Sequence, residues 1–129
     1  MLHKKIKSHY ENKTYCKITR SVGKVDLLIH GYIIGYSDDF ILLHENDDFV
    51  FNGYSVLPID QIKKIRFNNY DKYFHQIITW EGLIDKIGIN YAVDLTNWTS
   101  VFNSIKAQKL NVIVECEDPY FIVSQSALL

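Results

Sequence analysis

Two cysteines, Cys16 and Cys116, are all the thiol in 129 residues. They stand far apart and outside any C-x-x-C spacing, so the pattern holds neither a disulfide framework nor a thiolate metal site. Both fall in alternating apolar runs, where a cysteine behaves as a small hydrophobe, and two buried free thiols are expected. Proline occurs only as Pro58 and Pro119, and no Gly/Ser tract or internal repeat interrupts the chain. Nothing marks a linker, and one domain over 1–129 is expected. No apolar run approaches the ~18–20 residues that span a bilayer. The opening MLHKKIKSHYENK lacks the apolar stretch of a secretion signal. A cytoplasmic protein without a membrane role is therefore expected.

Chemical motifs are as scarce. Histidines stand at 3, 9, 30, 44 and 75, and none forms H-x-x-x-H or H-E-x-x-H. His30 and His44 are a pair that adjacent strands could bring face to face, short of the three or four ligands a metal needs. There is no G-x-S-x-G elbow, Cys16 has no flanking nucleophile signature, and Gly23, Gly31, Gly35 and Gly53 make no phosphate loop. No catalytic residue, metal site or cofactor is assigned, and a role other than catalysis is expected.

What the chain does hold is apolar and aromatic. Hydrophobic residues make up 47% and charged residues 22%, enough for a core without a metal or disulfide staple. Nine Tyr and seven Phe favour half-buried pleated surfaces. The net charge of −1 hides a split. Residues 1–24 carry seven bases against Glu11 alone, whereas the rest of the chain holds seven bases against fourteen acids. The basic segment reads either as an arm for an anionic partner, with Lys4, Lys5, Lys7 and Lys13 as nucleic-acid contacts, or as a stretch lying against its own acidic body. Asp38, Asp39, Glu45, Asp47 and Asp48 crowd eleven residues with no lysine or arginine among them. They lack calcium-loop spacing, so two solvated turns or a basic partner's footprint are the readings left.

Periodicity gives the fold class. Cys16 and Ile18 alternate against Tyr15, Lys17 and Thr19, and Leu27, Ile29, Gly31 and Ile33 share a face at period two. Ser37-Asp38-Asp39, Glu45–Asp48 and Asn52-Gly53 read as turns between Phe40–His44, Phe49–Phe51 and Tyr54–Ile59. Asp60–Lys63 reads as a helical turn before the strand Lys64–Phe67. From Asn69 the period lengthens. Tyr70, Tyr73, Phe74 and Ile77 mark one amphipathic helix, Trp80–Ile87 a shorter one ending at Gly88, and Trp98, Val101, Phe102 and Ile105 a third with Thr96 or Asn97 as N-cap. Trp80 and Trp98 are expected in the core, and Lys63, Lys64 and Arg66 on a solvent face. Val112–Val114 and Tyr120–Val123 then form a strand pair across Glu117-Asp118-Pro119. The expected fold is α+β: a small bent antiparallel barrel over 14–68, helices over 69–109 and terminal strands over 110–129.

Residues 31–43, Gly-Tyr-Ile-Ile-Gly-Tyr-Ser-Asp-Asp-Phe-Ile-Leu-Leu, carry Gly31, Ile33, Tyr36 and the apolar block Phe40–Leu43 at the spacing of a known motif. The stretch resembles the first Sm motif, above all that of bacterial Sm-like RNA chaperones. That resemblance implies a five-stranded, strongly bent (SH3-like) barrel whose edge strands join neighbouring subunits in rings. Two departures bear on RNA. The family's base-stacking aromatic is replaced by Asp39, and stacking worth about 1–3 kcal/mol per base is thereby lost. The Lys-His or Ile-Arg-Gly of the second motif is missing from Tyr54–Asp60.

Together these readings give a binding or assembly module acting through protein–protein contacts and self-association, as a dimer or ring. The uncharged segment Tyr120, Phe121, Ile122 and Val123 is the expected self-association strand. RNA binding through the N-terminal lysines is the second expectation, and a small enzyme the third.

Overall fold

The computed structural model describes residues 2–89, 92–115 and 124–128. It shows a mixed α+β fold in which a five-stranded antiparallel sheet carries helices on both faces. The first element is a helix, α1 (Leu2–Asn12), which packs on its own sheet, as the second reading of the basic segment has it. Leu2, Ile6 and His9 fall at i, i+4 and i+7 and turn inward, while the lysines face water. Lys13 takes the left-handed conformation, and the Thr14 amide reaches back to the His9 carbonyl, closing the helix with a Schellman-type cap.

The strands are β1 (Tyr15–Val22), β2 (Val25–Tyr36), β3 (Phe40–Asp47), β4 (Val50–Pro58) and β5 (Ile62–Arg66), in the spatial order β4-β3-β2-β1-β5. Three of the four ladders carry a register shift, in β1–β5, β2–β3 and β3–β4. Such bulges bend and twist a sheet. One corrects the reading of Asn52-Gly53 as a turn. β4 runs straight through the pair, Asn52 is the extra residue, and Gly53 takes φ +135°. The left-handed tolerance that makes Asn-Gly a turn signal serves a bulge equally well. The actual reversal is Asp48-Phe49, with Asp48 at φ 51°.

A single 3₁₀ turn, Ile59–Gln61, leads from β4 into β5, which crosses to pair with β1. Among the described residues no ladder joins β4 to β5, so the expected closure of a barrel is not seen. At Gly31 the β2 and β3 backbones meet. A Cβ there would lie 2.1 Å from the His44 carbonyl oxygen, and φ is +156°, so only glycine fits.

Helix α2 (Asn69–Trp80) opens with a capping box between Asn68 and Asp71, and Asp71 also takes a two-pronged bond from Arg66, with both N···O distances 2.9 Å. Lys63 and Lys64 lie on the expected solvent face, Lys63 within 3.0 Å of Asp26, and Arg66, with its side chain 39% exposed, reaches from that face to α2. Burial on α2 centres on Asp71 and Ile78, with Phe74 partly covered, so the stripe is rotated from the expected one. The expected second helix is only the 3₁₀ turn Ile84–Lys86, since α2 runs on through Trp80. Helix α3 (Trp98–Ala107) is capped by Asn97, whose side chain accepts from the Ser100 amide at 2.8 Å. A separate two-stranded ladder joins β6 (Asn111–Glu115) to β7 (Ser124–Leu128). Tyr120–Val123 and Cys116 lie outside the described residues.

Three apolar clusters hold these layers. Ile6 of α1 packs with Cys16, Ile18, Ile33, Ile41 and Leu43 on one face of the sheet. On the other face Ile78 of α2 packs with Tyr15 and Tyr32, and Val101 of α3 with Phe40, Leu42 and Leu95.

Candidate functional site

Among the described residues, a row of rings crosses four strands. Register places Tyr15, Tyr32, His44 and Tyr54 side by side on β1 to β4. Helix α2 lays Phe74 and His75 over this row, with Phe74 4.6 Å from Tyr15 between centroids. The His75 Nδ1 accepts from the Tyr32 hydroxyl at 2.9 Å and the Tyr15 amide at 3.4 Å. Since an amide can only donate, Nδ1 is unprotonated and the ring is the Nε2–H tautomer.

His44 repeats the arrangement one strand along. Its Nδ1 accepts from the Gly88 amide at 3.2 Å, and its ring stacks on Tyr54 at 4.4 Å. The Tyr54 hydroxyl donates to the Gly88 carbonyl at 2.6 Å. Gly88, at φ +139°, is therefore held on both sides of its backbone. These contacts fix the segment after α2 to the sheet.

Burial sets the protonation of these groups. It pushes the His44 and His75 imidazoles below their ordinary value. Burial, with the Asp71 charge behind it, pushes the Tyr15 phenol up to about 12, and burial raises Tyr32 as well. The two imidazoles are thus neutral, and their Nδ1 acceptors are already used. Cys16 lies in the core, and burial pushes its thiol up to about 12, the reverse of an activated nucleophile.

A recess of about 380 Å³ opens between the end of α1 and residues 87–89. Ile34, Ile87 and Ile89 give it apolar walls, with Tyr10, Glu11 and Lys13 at its α1 side. Tyr32 and Gly88 also line it, and the Tyr32 hydroxyl and the Gly88 backbone are committed to the bonds above.

The residues singled out in the sequence scatter. Lys4, Lys5 and Lys7 are exposed on α1 and Lys13 just past it, with Lys7 3.9 Å from Glu11. His30 pairs in register with Lys17, and it is Tyr32 that stands opposite His44, so the two histidines do not face each other. Among the described residues no three His, Cys, Asp or Glu side chains converge. The five acids do not form one cluster. Asp38 and Asp39 lie at one end of β3, Asp47 and Asp48 at the other, and Glu45 accepts a hydrogen bond from Ser55.

Trp80 and Trp98 correct a further expectation. Both are exposed, with Trp98 leaning on Phe40 and Phe102. Tyr70 and Tyr73 point outward with Trp80, and the Phe49 ring stacks on Phe74 at 5.4 Å beside them. No described helix is long and apolar enough to cross a membrane. The ring row was beyond sequence reasoning because it depends on register across four strands. A signal for the outward rings was present, since the apolar residues of α2 span an arc of about 160°, wider than the roughly 100° stripe that faces a core. Set against protein-family models, curated proteins and solved structures, the chain matches none.

Proposed function

We propose that the chain is a non-catalytic binding and assembly module, Sm-like in architecture, that works through protein–protein contacts and self-association. The observation carrying this reading is the edge strand β4. Its nine residues, Val50-Phe51-Asn52-Gly53-Tyr54-Ser55-Val56-Leu57-Pro58, hold no charge, and Val50 and Tyr54 are exposed. A neutral edge leaves a row of backbone donors and acceptors open to another strand. The opposite edge, β5, is short and carries Lys63 and Lys64, the usual protection against pairing. Support for the Sm-like reading comes from the strand count within 14–68, the bulged ladders and the close backbone contact at Gly31.

Sedimentation mass of the full chain between 5 and 500 µM (roughly the range over which modest interfaces form) tests the reading. Association that weakens on Val50→Lys with Asn52→Lys supports it, and a monomer throughout refutes self-association. Truncation after Glu115 tests the tail, with Tyr120–Val123, as the contact instead.

RNA binding is the second reading, supported by the exposure of Lys4, Lys5, Lys7 and Lys13. Changing all four to Gln should abolish filter retention of RNA, and retention should fall steeply with salt. Retention that survives the change refutes it.

A further inference from the structure

Two buried polar atoms on neighbouring strands have no hydrogen-bond partner among the described residues: Nδ1 of His30 on β2 and Oδ1 of Asn46 on β3. The β2–β3 register runs from Ile33–Leu43 through Tyr32–His44 to Gly31–Glu45, and one step further sets His30 beside Asn46. Both side chains lie on the α2 face. His30 precedes Tyr32 by the strand period of two, and its ring is 6.0 Å from that of Tyr15. Asn46 pairs across β4 with Phe51, whose ring meets those of Tyr32 and His44. Only 3% of Asn46 is exposed. Its Nδ2 donates to the Asp48 carbonyl at 2.9 Å, which fixes the direction of the amide and leaves Oδ1 as the orphan. Buried polar atoms are nearly always paired, so two orphans side by side call for one explanation.

We propose that His30 and Asn46 form the binding site of one internal water molecule, which bridges them and ties the β3–β4 hairpin to β2. Three features select water as the occupant. The first is the kind of atom. The amide oxygen only accepts, so the occupant must donate to it; water can also donate to Nδ1 or accept from it, and so serves either ring tautomer. The second is room. The ladder ends at the Gly31–Glu45 pair, so no strand-to-strand bond closes the step between His30 and Asn46. Backbone groups left unladdered there supply the third of the roughly three bonds that a buried water makes. The third is charge. Lys17 stands beside His30 on β1, on the same face, and its charge opposes a metal cation. Nor do three His, Cys, Asp or Glu side chains converge among the described residues, as a metal would require. The site has a structural task. Beyond Glu45 no ladder joins β3 to β2, and the water supplies the tie that steadies the reversal at Asp48-Phe49, where the Phe49 ring stacks on Phe74.

Magnetic relaxation dispersion of the solvent, which counts long-lived internal waters, tests the site on the full chain. His30→Phe keeps a ring against Tyr15 and removes Nδ1, and one internal water fewer than wild type is expected. Amide exchange over residues 46–51 should quicken roughly fivefold, as loss of one hydrogen bond does, while exchange at Ile18 stays unchanged. Asn46→Leu removes the other partner from the opposite strand and should lose the same water, and the two substitutions together should lose no second one. Circular dichroism melts confirm that each variant folds. A water count equal to wild type in His30→Phe or in Asn46→Leu overturns the proposal. Lys17→Met should leave both the count and the exchange as they are; if it changes either, the lysine ammonium is the missing partner and the water site falls. Faster exchange over 46–51 when the wild-type chain is dialysed against EDTA would assign a metal ion and overturn the proposal as well.

Discussion

Helices α1 and α2 are nearly equal in length and lie on opposite faces of one sheet, yet they finish their surfaces differently. Helix α1 turns Leu2, Ile6 and His9 inward and shows water a face of lysines. Helix α2 turns Asp71, Phe74, His75 and Ile78 inward and shows Tyr70, Tyr73 and Trp80. The apolar stripe of the first is used up in folding. That of the second is only partly used, and what folding leaves over is available for partners. An amphipathic pattern therefore reports that a helix has an apolar face, and not what that face meets.

The largest expected effect removes the platform both helices share. Gly31→Ala would place a methyl 2.1 Å from the His44 carbonyl, at a φ that side chains rarely adopt. The two backbones must part there, and a loss above about 3 kcal/mol is expected, enough to undock both helices. Chemical denaturation measures it; a wild-type midpoint would show that the ladder tolerates separation. Next comes the inner face of α1. Ile6 is fully buried, so Ile6→Ala should cost about 2–5 kcal/mol. A loss below 1 kcal/mol would mean that α1 is a loosely held arm after all.

The matching anchor of α2 is polar and should cost less. Asp71 caps the helix and holds Arg66, but the Arg66 side chain is 39% exposed, so solvent weakens that bond. Asp71→Ala is expected to cost about 2 kcal/mol, mostly as a lost cap. Acid should mimic it. Burial alone would raise the Asp71 carboxyl, yet the Arg66 guanidinium and the Asn68 amide hold it below the ordinary 3.8. Its contribution is complete above that value and is lost as pH falls through the lowered one.

How much of this was legible in the sequence depends on the range of the interaction. The strand order of appearance, the Ser37–Asp39 turn and the cap at Asn97, one of two candidates with Thr96, follow from neighbours in the chain. The close approach at Gly31 is between strands, and a glycine inside an alternating run was its signal. Helix α1 was missed because its apolar stripe is one residue per turn among lysines. Asn52-Gly53 was misplaced because turns and bulges want the same backbone. The His44–Gly88–Tyr54 clamp joins residues 34 and 44 positions apart, and no local pattern encodes it.

That clamp and its counterpart on α2 make a smaller, pH-dependent difference between the helices. Burial lowers His9, His44 and His75 below the ordinary 6.5. A base lowered by folding takes up protons on unfolding, so stability is complete above about 6.5 and declines as pH drops toward the lowered values. His75 and His44 accept from amides that cannot reverse, whereas His9 faces the Thr14 hydroxyl, which can turn to accept. Mild acid should therefore loosen residues 75–88 before α1, and amide exchange at pH 7.5 and 5.5 would show it. Equal protection loss in both regions would remove the distinction.

The smallest effect is the sharpest test of the contrast. If the outer stripe of α2 takes no part in folding, Trp80→Ser and Tyr73→Ser should each change the stability of the dilute chain by no more than about 0.5 kcal/mol. Serine has about the helix propensity of Trp and Tyr, so propensity adds nothing to the expected change. The same substitutions on the inner face, such as Ile78→Ser, should cost several times more, because Ile78 is fully buried against Tyr15 and Tyr32. Melts at about 2 µM, well below the range in which a modest dimer forms, keep association out of the measurement. A Trp80→Ser loss above 1.5 kcal/mol would mean that the ring is already buried within one copy, and the stripe would then belong to the fold and not to a partner.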